Sequence, residues 1–210
     1  MERTIGAPVT GKGGMKSPIL WFCLILLMLA IFTAVGPTEK TLGTSVRVVY
    51  LHGAWVWAAL TGFLVSGILG VGGLVTQRDD LQRWSRSLGR AALFFWITYL
   101  PISMWAMQTN WNGLFLAEPR WRLAIVFAIG GLLLQLGLVL VEAPAWASAA
   151  NIIYFLMLFL ALRSTQNIMH PPSPILNSDA RLIQLYFFGL LALTLLAGWQ
   201  VARWWHRFER

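Results

Sequence analysis

The chain has 210 residues, of which 58% are hydrophobic, 11% are charged and 12 are Trp. Soluble domains hold about 25% charged residues, so this composition excludes a water-soluble globule, and the apolar blocks leave no length for a separate soluble domain. The formal charge of +8 gathers beside the ends of those blocks rather than in a stripe or patch, which fits a membrane and gives no nucleic-acid role.

Six apolar blocks are long enough to cross a hydrocarbon layer of about 30 Å. The first, Pro18 to Val35, follows a Gly-rich tail holding Arg3, Lys12 and Lys16. It imitates a secretory signal, but it is longer than the signal core of about 7 to 15 residues and lacks a small-x-small cleavage site, so it is expected to stay as span one. Span two covers about Val49 to Val75, span three Leu88 to Met107 and span four Leu123 to Val141. Spans five and six cover Pro144 to Leu162 and Leu182 to Trp204. Lipid offers backbone amides no partner, so each run is expected to be helical, and the alternation of a membrane barrel is absent. The expected fold class is an all-α integral membrane protein, a six-transmembrane-helix bundle over 18–204 between tails 1–17 and 205–210.

Lys and Arg set the orientation. Arg3, Lys12 and Lys16, then Arg78, Arg83, Arg86 and Arg90, then Arg203, Arg207 and Arg210 fall on one side; Lys40, Arg47, Arg120, Arg122, Arg163 and Arg181 fall on the other. The richer side faces the cytoplasm by the positive-inside rule, so both termini are expected there, in a multi-pass protein of the cell membrane. Connections one, three and five then face outward. In span two, Gly62, Ser66 and Gly70 recur every four residues with Gly67 and Gly73 nearby, a face for close helix packing. Pro101 inside span three predicts a kink or local unwinding. Cys23, the single cysteine, can form no disulfide or CxxC pair within the chain and reads as lipid-facing or packing filler.

Polar groups in or against a bilayer are costly and mark places to search for function. Here they are His52, Gln135, Glu142, Asn151, His170 and Arg181, with the Trp and Arg residues of the third connection. Glu142 reads as a helix end, and without further intramembrane carboxylates or Lys there is no proton or ion path. No Ser-His-Asp set, HExxH, Walker loop or dinucleotide turn is present. His52, at the outward end of span two, and His170, before Pro171-Pro172 in the fifth connection, share a side, whereas His206 lies on the other. Two neutral imidazoles across one macrocycle make the six-coordinate iron of a b-type haem. An interfacial His and a rigid Pro-rich turn are equally read as amphipathic or structural features. In the third connection, Trp111, Arg120, Trp121 and Arg122 combine rings that could stack on a porphyrin with guanidiniums that could pair its propionates. A Trp belt at the membrane interface accounts for the same rings.

The segment Arg47-Val-Val-Tyr50-Leu-His52-Gly-Ala-Trp55 resembles the Arg-x-x-Tyr-x-His-x-x-x-Ala-Trp start of span two in the cytochrome c maturation protein C (CcmC) and CcsA haem-handling family, with a shorter gap between His and Trp. Asn167-Ile-Met-His170 resembles that family's Asn-Thr-Leu-His segment ahead of span six. The third element departs from the family's dense tryptophan run: only Trp111, Gly113 and Arg122-Leu123 can be placed, and the Asp is missing although Glu118 stands nearby.

The resemblance implies six spans with cytoplasmic termini, haem b as cofactor, and His52 and His170 as its axial metal ligands. Trp55, Trp111, Trp121, Arg120 and Arg122 would then line the haem. The implied function is to hold haem at the outer face and hand it to a haem chaperone or another subunit of cytochrome c biogenesis, not to act as a conventional enzyme. A small b-type cytochrome that exchanges electrons with a quinone, and a haem-free accessory subunit of a membrane complex, are the alternatives.

Overall fold

The computed structural model describes residues 17–141, 143–166, 175 and 179–209. They form six helices: α1 (Pro18–Ala34), α2 (Val46–Thr76), α3 (Asp79–Trp111), α4 (Pro119–Val141), α5 (Pro144–Ser164) and α6 (Arg181–His206). Helices α2 to α6 are long and apolar enough to cross a membrane, while α1 is apolar but shorter. Five such helices mark a multi-pass membrane protein. Among the described residues the only strand-like pairing is an isolated bridge between Glu39 and Gly43.

Each helix begins or ends where local chemistry dictates. Pro18 and Pro144 open α1 and α5 at positions where the missing N–H costs nothing. Gln77 and Asn112 close α2 and α3 in the left-handed region, at φ of 54° and 51°. Helix α3 exceeds its apolar stretch at both ends, with Asp79 and Asp80 in the first turn favoured there by the helix dipole. It runs unbroken through Pro101, which stands on an exposed face, so the expected unwinding does not occur. Cys23 is a free, exposed thiol on α1.

The α2–α3 hairpin is the centre of the bundle, with α5 and α6 against it, α1 against α6, and α4 at the edge beside α3 and α5. The small face of α2 makes this possible. A Cβ on Gly62 would stand 2.9 Å from Ala92 Cβ, and one on Gly73 would stand 2.7 Å from Gln82 Cγ. Between them Ser66 Oγ donates to the Ser85 carbonyl at 2.6 Å and Ser85 Oγ donates to the Ser66 carbonyl at 2.8 Å. From α5, Asn151 Nδ2 donates to the same Ser85 carbonyl at 3.0 Å, and its Oδ1 accepts Gln135 Nε2 of α4 at 3.4 Å. Four helices are thus tied by side-chain amides and hydroxyls in a region where unpaired polar groups are costly. Gln135 and Asn151 serve helix packing.

Helix α6 is anchored at the arginine-rich end. The Glu209 carboxylate, only 2% exposed, meets Arg86 Nη1 at 2.7 Å and Arg90 Nη1 at 2.6 Å. The rings of His206 and Trp199, both of α6, stack on Trp84 of α3 with centroids 3.8 Å and 5.0 Å from it. Pro18 and Trp205 line one groove, so the start of α1 and the end of α6 lie at the same end of the bundle.

Candidate functional site

His52 lies in the second turn of α2, half-buried at the end opposite the arginine-rich one. Its ring centroid is 5.6 Å from that of Tyr99 on α3, at 54°. The next residue, Gly53, receives two neighbours: a Cβ there would stand 3.2 Å from Phe187 Cε2 of α6 and 3.8 Å from Ile175 Cδ1. Ile175 belongs to the α5–α6 connection, which therefore reaches α2 immediately beside His52. His170 lies outside the described residues, as does Glu142.

Arg47, five residues before His52, is committed to α1. Its Nε donates to the Gly36 carbonyl at 2.8 Å and its Nη1 to the Ala34 carbonyl at 2.7 Å, covering carbonyls that a helix C-terminus leaves open. Tyr186 of α6 adds a second tie, stacking on Phe32 at 4.7 Å and donating its hydroxyl to the Phe32 carbonyl at 2.8 Å. Trp55 is buried against α3: its indole N–H donates to Thr98 Oγ1 at 2.8 Å and its ring lies 4.7 Å from Phe95.

The third connection is shaped by Glu118. It caps α4, accepting the Trp121 backbone N–H on Oε2 at 2.7 Å and the Arg122 N–H on its carbonyl at 3.1 Å. Pro119 then occupies the first helical position. Trp111 ends α3 and is exposed, Arg122 is exposed, Arg120 is half-buried, and Trp121 is buried. Three buried atoms here have no hydrogen-bond partner among the described residues: Arg120 Nε, Trp121 Nε1 and Glu118 Oε1. Tyr99, which packs on His52, also meets the Trp96 ring at 4.9 Å. Tyr99 thus stands between the rings of His52 and Trp96, a position that nothing in its sequence context announces. Arg181 is exposed at the first position of α6.

The chemistry of this end is a half-buried imidazole beside aromatic rings, with two buried N–H donors left without an acceptor. Unpaired donors of this kind cost about 1–3 kcal/mol each unless an acceptor reaches them, and propionate carboxylates of a haem are such acceptors. Arg120 and Trp121 therefore offer donors of the kind such carboxylates take. Among the described residues no set of three or more His, Cys, Asp or Glu is placed to hold a bare metal ion. Comparison of the chain with protein-family models, with curated proteins and with solved structures finds no match.

Proposed function

We propose that this is a haem-binding membrane protein with six spans and cytoplasmic termini, which holds haem b at the outward face of the cell membrane and hands it on in c-type cytochrome biogenesis. His52 and His170 would be the axial ligands. The observation that carries this reading is the half-buried imidazole of His52 at the same end as the unpaired donors of Arg120 and Trp121. The approach of Ile175 to Gly53 supports it, because Ile175 follows His170 by five residues. Haem would supply the iron to be ligated and the carboxylates to be gripped; the chain would supply position and exclude water.

The test is haem content. Protein purified after expression with haem available is expected to show a Soret band that is lost in both His52→Ala and His170→Ala, each checked for folding by circular dichroism and gel filtration. Unchanged haem content in both folded variants overturns the assignment.

The burial of Trp55 and Trp121 in helix packing favours a second reading, a haem-free accessory subunit of a membrane complex. A preparation with no Soret absorbance that co-purifies with a stable partner decides for it.

A further inference from the structure

At the arginine-rich end, α1, α3 and α6 enclose an apolar groove of about 210 Å³. Its walls are Ile19 and Phe22 of α1, Phe94 of α3, and Val201, Trp204 and Trp205 of α6. Cations flank it. The Arg90 guanidinium lies 5.4 Å above the Trp205 ring, one turn from Phe94, and Arg203 Nη1 donates to Oε1 of Gln200, a lining residue, at 3.1 Å. The first turn of α1 opens here too, with no side-chain cap from Ser17, so the positive end of its dipole faces the same mouth.

Charge decides the occupant. Among the described residues no carboxylate lines the groove. Glu209, which is nearest to Arg90, is 2% exposed and shared between Arg86 and Arg90, leaving that triad with one surplus positive charge. Arg203 adds another. An apolar slot open to the hydrocarbon layer, ending in surplus arginine charge where headgroups lie, matches an alkyl chain joined to an anion.

We propose that this groove binds one anionic phospholipid, with an acyl chain between α1 and α6 and the phosphate at Arg90 and Arg203. The site needs a phospholipid but not haem, so it stands apart from the function proposed above.

The test is native mass spectrometry of the full chain in detergent containing equimolar phosphatidylglycerol and phosphatidylcholine of matched acyl chains. One phosphatidylglycerol per chain is expected to be retained in preference to phosphatidylcholine. Arg203→Gln should lower that preference about fivefold, as for the loss of one headgroup contact. Ile19→Trp, at a position 50% exposed, should fill the groove and remove the adduct while the fold persists. Equal retention of both lipids, a preference untouched by both variants, or a second copy of the chain in place of the lipid adduct overturns the proposal.

Discussion

The carboxamide of Asn151 occupies the space that a side chain on Gly89 would need: a Cβ there would stand 2.7 Å from both Nδ2 and Oδ1. Gly89→Ala therefore drives α5 away from α3 and breaks the Asn151 bonds to Ser85. Alanine normally favours a helix over glycine by about 1 kcal/mol, but the overlap outweighs it, and a net loss of about 1–3 kcal/mol is expected. Gly130, where a Cβ meets nothing within 4 Å, is the control. Thermal unfolding in detergent should show Gly130→Ala unchanged or slightly stabilised and Gly89→Ala clearly weakened.

Glu209→Gln removes the carboxylate from two guanidiniums that are 15% and 17% exposed. A loss of about 3 kcal/mol is expected, the lower edge for breaking a buried pair, because the arginines keep some water. Arg86→Gln and Arg90→Gln should each cost less, since the other arginine still holds the carboxylate. Protease sensitivity at the end of α6, compared across the three variants, checks this order.

Arg47→Ala should free the end of α1. Both bonds run from a cation to carbonyls, and the pair is worth about 1.5–3 kcal/mol per bond at most. Arg47→Lys recovers only part of it, because an ammonium cannot match the forked geometry that serves Ala34 and Gly36 together. Accessibility of an engineered cysteine at Val35, read by labelling with a water-soluble maleimide, should rise in the alanine variant and rise less in the lysine one.

The connection between α1 and α2 carries a pH-dependent turn. Glu39 Oε2 accepts the amides of Thr41 at 2.8 Å and Leu42 at 2.9 Å, and the Leu42 bond first, then that of Thr41, holds its carboxyl below the ordinary range. A depressed folded value means that the turn is favoured above about pH 4.3, the value of a free Glu, and loses that support as pH falls through the folded value. The amide resonances of Leu42 and Thr41 should titrate together at a pH below that of free Glu, and Glu39→Gln should abolish the titration.

Apolar length made the helices legible in the sequence. The expected spans coincide with the cores of α1 to α6, and the Gly62-Ser66-Gly70 face does meet α3. Helix α3 was only partly legible, since Gln82, Ser85 and Ser87 are polar yet buried. Their pairing with α2 and α6 supplies what hydropathy cannot register. At the histidine end, residue type alone could not separate a ring that faces a ligand from one that packs, and Trp55 proves to pack against Phe95. Glu118 was within reach of a local reading, because a capping side chain followed by Pro at the first helical position is a helix-start signal.

With 17 residues, α1 rises about 26 Å, less than the roughly 30 Å of hydrocarbon that its neighbours are built to cross. Tilting relieves only a helix longer than the hydrocarbon layer, so it cannot make up this difference. On the six-span reading the lipid must yield instead: hydrophobic mismatch thins the leaflets along the α1–α6 flank, and the protein favours bilayers with shorter acyl chains.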